Sequence, residues 1–251
     1  AGFALDGADV LDDLNGMFAF AIWDTREREL FLARDHLGKK PLYWCELGDR
    51  FYFSSTLDSF AGLRGWHGDL SPGALAQYAL LGAVPGDRTV FAQGRSLPGA
   101  TSLTLSPGGR PELRKYWRMA FATKDTGSDA DLGAEYEELL VDATKVRLRS
   151  DVPVALTFSG GVDSGSIAWA CSRRLDAPLA CYTIDYDTAE DRSPETEVAR
   201  TAANHFGMEW RYIHFDYRTD LLADLEHAYA YYDQPCQQLA LVYSDRLYRA
   251  I

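Results

Sequence analysis

The sequence predicts two folded regions in succession, an α+β region built on antiparallel sheets and then an α/β region built on a doubly wound parallel sheet. Three observations predict this. Residues 17–54 carry short apolar runs of strand length, separated by tight polar turns. Residues 152–215 alternate short apolar runs with helical segments, the rhythm of a parallel sheet. Between these regions, Phe121–Asp131 (FATKDTGSDAD) is polar and rich in breakers, and reads as a linker. The expected division is therefore 1–120, a linker at 121–131, and 132–251.

In the first region, Met17–Trp23 (MFAFAIW) is a continuous apolar run that follows the turn signal Asn15-Gly16. Asp24–Arg28 makes a polar turn, and Glu29–Ala33 (ELFLA) resumes a strand. Leu42–Cys45 and Phe51–Ser54 form a second pair, joined through Gly48-Asp49. The apolar character of these runs predicts burial on both faces. Arg34-Asp35-His36-Leu37-Gly38-Lys39-Lys40-Pro41 is a polar loop closed by Gly and Pro. On its residues alone it reads as a capped connection holding an Arg34/Asp35 pair. Residues 65–118 are rich in Gly and Pro, with short strands expected near Leu103–Leu105 and Lys115–Trp117.

In the second region, Leu132, Tyr136, Leu139, Leu140, Ala143 and Val146 fall along one face of a helix over 132–149. Lys145, Arg147 and Arg149 lie near its C-terminal turn, where the macrodipole favours positive charge. Val152–Phe158 is a buried strand, Ser164–Arg174 a helix, and Leu179–Ile184 a second strand. Ser193-Pro194-Glu195 starts a helix with a capping hydroxyl, Pro at the first position and then an acid. That helix runs to Phe206 and stops at Gly207, and Trp210–Phe215 supplies a third strand. Ligands bind such sheets at the C-terminal edge of the strands.

Composition narrows the function classes. A chain of 251 residues with 47% hydrophobic and 25% charged residues is an ordinary globular composition. A net charge of −12 argues against a nucleic-acid surface, which needs clustered Lys and Arg. No apolar run approaches the roughly 20 residues that span a bilayer. The four cysteines, Cys45, Cys171, Cys181 and Cys236, are widely spaced and form no CxxC pair. They read as reduced thiols of a cytoplasmic protein. The chain opens at Ala1 without an initiator Met and closes at Ile251 inside a helical pattern, so both ends are expected to be cut.

Ser159-Gly160-Gly161-Val162-Asp163-Ser164 falls at the sheet edge, between a strand and a helix. Consecutive glycines let backbone approach a bulky anion, the serines offer hydroxyls, and the opening amides of the helix supply positive partial charge. A carboxylate in such a place makes sense if Asp163 holds Mg²⁺, a hard cation that bridges to phosphate. The loop lacks the Lys of GxxxxGK[ST], so it is a different nucleotide site. The alternative is a Gly-rich turn with an acidic helix start, but a chance match is on the order of one in a few thousand. Ile184 ends the second strand at the same edge, either as an adenine contact or as a core residue. Asp185, Asp187, Glu190, Asp191 and Glu195 follow it, as a metal or cation site or as a solvated loop.

Taken together, Leu11–Ala21 (LDDLNGMFAFA), Arg34–Gly38, Lys40–Tyr43, Ser150–Pro153 and SGGVDS resemble the asparagine synthetase family. Ala199–Gly207 adds weaker support. The resemblance covers most of the chain. It implies part of a class II glutamine amidotransferase followed by a synthetase region of the ATP-pyrophosphatase type, and it assigns the RDHLG loop to the former. It also implies a reaction in which a carboxylate, by default that of aspartate, attacks the α-phosphorus of ATP to give an acyl-adenylate and pyrophosphate. Ammonia from glutamine then displaces AMP. By position, Ser159, Gly160, Gly161, Asp163 and Ser164 would hold pyrophosphate, Asp163 would also hold Mg²⁺, and Phe158 and Ile184 would line the adenosine site. A homodimer of a full-length parent is left open.

Departures from the family pattern shape these expectations. The family's glutaminase nucleophile is an N-terminal cysteine, and Ala1 is not one, so no catalytic residue is assigned and the chain alone is expected to be inactive. Thr56 stands where the family usually has an acid. The family's Asp-Glu-Pro reads Asp233-Gln234-Pro235, and a following acid is replaced near Gln237 and Gln238, which points to an acceptor pocket altered from that for aspartate. The competing functions are an intramolecular amide-forming cyclase of β-lactam or peptide type, and a nucleotide- or protein-binding fragment without catalysis. A tRNA-modifying pyrophosphatase is disfavoured by the acidic charge.

Overall fold

Two antiparallel sheets form from the strand-and-turn pattern of the first region, and one parallel sheet from the alternating pattern of the second. The computed structural model describes residues 2–121, 126–185, 194–215, 221–237 and 240–251. It divides into two units, Ala1–Ala122 with Tyr231–Gln238, and Thr123–Ala230 with Leu239–Ile251.

The first unit opens with two short helices, α1 (Gly2–Asp6) and α2 (Val10–Asp13), followed by β1 (Ala19–Asp24) and β2 (Glu29–Arg34). Next come the hairpin β3 (Tyr43–Leu47) and β4 (Arg50–Ser54), helix α3 (Pro72–Leu81), and β5 (Arg95–Ser96). The strands β6 (Thr101–Leu105) and β7 (Glu112–Lys115) complete it. The sheet orders are β1-β2-β6-β7 and β4-β3-β5. Leu32 and Leu103 from the first sheet share a core with Trp44 from the second, which places the two sheets face to face. Phe31 and Ala33, pointing the opposite way from Leu32, pack with Leu11 of α2. The β2 strand is therefore buried on both faces, as its apolar run predicts.

The β1 strand is not. Among the described residues it pairs only with β2, and Ala21 and Trp23 are exposed, Trp23 by 56%. A continuous apolar run does not distinguish a central strand from an edge strand, because the missing neighbour is a tertiary fact. Helix α3 shows its caps in the sequence. Ser71 Oγ accepts from the Ala74 amide at 3.3 Å, Pro72 takes the first position, and Gly82 closes the helix at φ 71°.

In the second unit, α4 (Asp129–Arg147) starts within the stretch expected as linker, where Ser128 Oγ caps the Asp131 amide at 3.2 Å. There follow β8 (Ala155–Thr157), α5 (Val162–Trp169) with a π-helical continuation over Ala170–Arg174, and β9 (Ala180–Asp185). The unit closes with α6 (Pro194–His205), β10 (Trp210–His214), α7 (Leu221–Tyr229) and α8 (Ala240–Ala250). The β8 strand is shorter than the apolar run suggests. Val152 is 69% exposed and its amide turns back to Ser150 Oγ at 3.2 Å, just before Pro153 removes a ladder donor.

The parallel sheet runs β10-β9-β8. Along β9, Cys181 packs with Ala168, Ala199 and Ala203 from α5 and α6, whereas Ile184 packs against Ala228 and Val242 from α7 and α8. Residues 181 and 184 differ by an odd number, so they face opposite sides and helices cover both faces of the sheet. Strand order proceeds in one direction across the described strands. Among the described residues no helix is long and apolar enough to cross a membrane.

Candidate functional site

A cavity of about 600 Å³ opens at the C-terminal edge of β8 and β9, within the second unit. It is lined by Phe158, Ser159, Asp163 and Ser164 after β8, and by Tyr182, Thr183, Ile184 and Asp185 of β9. Glu195 and Thr196 from α6 and Leu247 from α8 complete the lining. The loop and Ile184 thus converge on one cavity, as their positions after β8 and at the end of β9 require.

The loop is shaped by its own hydroxyls. Ser164 Oγ accepts from the Ser159 amide at 3.3 Å, and Ser159 Oγ accepts from the Gly161 amide at 3.3 Å. The two hydroxyls lie 3.1 Å apart. Gly160 has φ +73°, and a Cβ there would lie 2.7 Å from Ala199 Cα and 2.8 Å from its amide nitrogen. Only glycine lets the loop pass this close to the backbone of α6. Gly161 differs, because it caps α5 with φ −73° and a Cβ there would meet only Ser159 Oγ, at 3.4 Å. Neither glycine lines the cavity shared by Phe158, Ser159, Asp163, Ser164 and Ile184. Both lie on a separate, largely apolar hollow bordered by Tyr136 and Trp169. The amides of the first turn of α5 have no intrahelical acceptor and give this end of the loop positive partial charge.

Asp163 is exposed in the first turn of α5. Among the described residues no group of three His, Cys, Asp or Glu side chains could cage a metal. An exposed carboxylate such as Asp163 fits a cation that keeps most of its shell as water and phosphate oxygens, which is the habit of Mg²⁺.

The acidic stretch after Ile184 divides. Asp185 is 3% exposed, and its Oδ2 accepts from Thr196 Oγ1 at 2.7 Å. It is part of the packed interior, unlike the solvated loop that is one reading of the sequence. Glu195 reaches the cavity, while Asp187, Glu190 and Asp191 lie outside the described residues. Tyr182, Thr183, Thr196 and Leu247 escaped sequence reasoning. Strand alternation places 183 and 185 on the α6 side of β9, but which strand ends border a cavity is set by packing.

Comparisons with known proteins bear on this arrangement. Residues 1–117 match the family described as glutamine amidotransferase domain, and residues 135–251 match the family described as asparagine synthase. The chain belongs to the asparagine synthetase family. It is 31% identical over 196 residues to the glutamine-hydrolyzing asparagine synthetase 1 of Bacillus subtilis, a match covering 78% of this chain and 30% of that protein. Asparagine synthetase 3 of the same organism is 35% identical over 185 residues, covering 71% and 30%. The protein named amidase chry2 of Gibberella zeae is 28% identical over 228 residues, covering 84% and 33%. The chain thus spans less than half the length of these curated relatives.

Two further features of this asparagine synthetase family member lie in the first unit. Arg34 and Asp35 each hold the RDHLG loop by its backbone, and the charge of Asp35 favours the Arg34 guanidinium. Arg34 donates to the carbonyls of Lys40, Gly38 and Leu97 at 2.6–2.8 Å. Asp35 is 1% exposed and accepts from the amides of Leu37, Lys39, Lys40 and Phe18. Burial alone would raise its pKa, but these four amides together outweigh it and hold the carboxyl below its usual value. Tyr116 donates its phenol to the Arg34 carbonyl at 2.7 Å, and burial pushes its pKa to about 12.

The second feature is the segment Asp233-Gln234-Pro235, expected beside an acceptor pocket. Asp233 Oδ1 accepts from the Leu57 amide at 2.6 Å, Gln234 Oε1 from the Val90 amide at 2.9 Å, and the Gln237 amide donates to the Gly82 carbonyl at 3.1 Å. These residues pack into the first unit. Cys45, Cys171 and Cys181 are buried, and their burial raises each thiol, to about 11 for Cys45 and Cys181. Such thiols are poor nucleophiles.

Proposed function

We propose that the cavity at the end of β8 and β9 is the ATP site of a glutamine-dependent amide ligase that activates a carboxylate, with aspartate as the default acceptor. One observation carries this reading: Ser159, Asp163 and Ser164 line the same cavity as Phe158 and Ile184. A single nucleotide would then meet the loop with its phosphates and the strand ends with its nucleoside. Ser159, Ser164 and the opening amides of α5 would take the β- and γ-phosphates, with Gly160 letting the loop pass close against α6 and Gly161 opening the helix. Phe158 and Ile184 would border adenosine. Asp163 would hold Mg²⁺, which supplies charge neutralisation on the phosphates.

In the proposed reaction the acceptor carboxylate oxygen bonds to the α-phosphorus as the bond to the bridging oxygen breaks, releasing pyrophosphate. The loop stabilises the charge that develops on this leaving group, an electrostatic contribution realised most fully in the transition state. Ammonia from glutamine then attacks the acyl carbon and AMP departs. The buried thiols of Cys45, Cys171 and Cys181 suit a reducing cytoplasmic setting.

The test is pyrophosphate release by the intact protein with Mg²⁺, ATP, glutamine and aspartate. Release that requires aspartate and falls at least about a hundredfold in Asp163→Ala supports the reading. Release with another carboxylate only, or from a substrate that closes on its own amine, would replace aspartate by that acceptor. Absence of both ATP binding and pyrophosphate release would leave the cavity without this function.

A further inference from the structure

We infer that Thr183 is a positioning residue that fixes the register between the loop and the end of β9 at this cavity, so that both ends of one nucleotide are met at once. The inference rests on the nucleotide reading above.

A hydrogen-bonded chain crosses the parallel sheet at this edge. Trp210, the first residue of β10, donates its indole N–H to Thr183 Oγ1 at 2.9 Å. Thr183 Oγ1 in turn donates to the Phe158 carbonyl at 2.6 Å. The direction is fixed by chemistry. An indole nitrogen can only donate and a carbonyl can only accept, so the hydroxyl must accept from one and give its own proton to the other. The Phe158 amide also bonds the Tyr182 carbonyl at 2.8 Å, so both backbone groups of Phe158 are tied to β9.

Phe158 is the root of the loop, one residue before Ser159. Thr183 is one residue before Ile184 and is itself 6% exposed. The bond between them therefore ties the root of the loop that carries Ser159 to the strand that carries Ile184. Trp210 braces it from the third strand. Loss of the hydroxyl would take this bond from the part-buried indole N–H and from the carbonyl at the loop root, and the loop could shift relative to Ile184.

This predicts an effect on a ligand that spans the loop and the end of β9, with little effect on one that meets the loop alone. The experiment compares dissociation constants of Mg·ATP and Mg·pyrophosphate for the intact protein and its variants. Thr183→Val is expected to weaken Mg·ATP about tenfold and Mg·pyrophosphate less than about twofold. Thr183→Ser, which keeps the hydroxyl, is expected to stay within about threefold of wild type for both ligands. Trp210→Phe removes the brace without altering Thr183, and is expected to give a weaker form of the same split. It also serves if Thr183→Val does not fold.

Equal losses for the two ligands, or none, in both Thr183→Val and Trp210→Phe would overturn the inference. So would failure of serine to restore binding. Asp163→Ala separates the two readings, because it should weaken both ligands. If wild type and Asp163→Ala bind both ligands equally, or neither ligand, the nucleotide reading fails and the role of Thr183 fails with it. If Asp163→Ala loses binding while the Thr183 and Trp210 variants keep the wild-type ratio, only the inference about Thr183 is overturned.

Discussion

The hydroxyl of Thr196 donates to the buried carboxylate of Asp185 at 2.7 Å, and so ties the first turn of α6 to the end of β9. The Asp185 carbonyl also accepts from the Phe215 amide at 2.8 Å, just beyond β10. One residue thus joins three elements beside the cavity. Replacing Thr196 by Val removes a donor from a carboxylate that is 3% exposed. The expected cost is about 2 kcal/mol, read by urea unfolding, and Thr196→Ser should restore most of it. A loss below about 0.5 kcal/mol would show that the bond is dispensable.

The two loop glycines are expected to behave differently. Gly160→Ala must carry a side chain at φ +73° and push it to 2.7 Å from the α6 backbone. Left-handed strain of roughly 1–2 kcal/mol and overpacking of about 1–3 kcal/mol both apply. Gly161→Ala meets only a serine hydroxyl at 3.4 Å and should cost less than about 1 kcal/mol. Thermal unfolding of the two variants checks the contrast, and equal stability would contradict it.

The strand–turn–helix shape of the loop is legible in the sequence because it is local. A short apolar run, two glycines, a serine pair and a helix start occur in order, and each needs only its neighbours to be understood. Thr183 was not legible for the opposite reason: its hydroxyl matters through Trp210, 27 residues away on another strand. For Asp185 and its acidic neighbours the sequence leaves open a metal or cation site or a solvated loop, whereas the side alternation of β9 turns Asp185 inward toward Thr196. The apolar run at β1 gave a strand but not its edge position. The docking of Asp233 and Gln234 onto Leu57 and Val90 depends on residues 176 and 144 positions away, a separation that no local pattern encodes.

The RDHLG loop should show its carboxylate as an acid limb of stability. Asp35 has a folded pKa below its unfolded value near 3.9. Its contribution is present above that unfolded value and is lost as pH falls toward the folded one. Asp35→Asn would turn one acceptor oxygen into an N–H group facing backbone donors. The expected loss at pH 7 is about 3 kcal/mol, shrinking as pH drops from 5 to 3. Urea unfolding of wild type and variant across that range checks the sign. A gap that widens toward low pH would contradict the assignment.

Asp233 is expected to behave in the reverse sense. It is half-buried, and burial raises its carboxyl above the usual value, against the lowering effect of the Leu57 and Asp58 amides. The negative charge of Asp58 adds to the rise. A raised folded pKa means that the protonated form is the better fit, so its contribution is full at low pH and is lost as pH rises through the folded value. Asp233→Asn keeps the Oδ1 acceptor for the Leu57 amide and removes the charge. At pH 7 this variant should match wild type or exceed it by less than about 1 kcal/mol, with the difference vanishing near pH 4. If it instead loses more than about 1 kcal/mol at pH 7, the charge-assisted bond to Leu57 outweighs desolvation, and burial does not set the balance at this carboxylate.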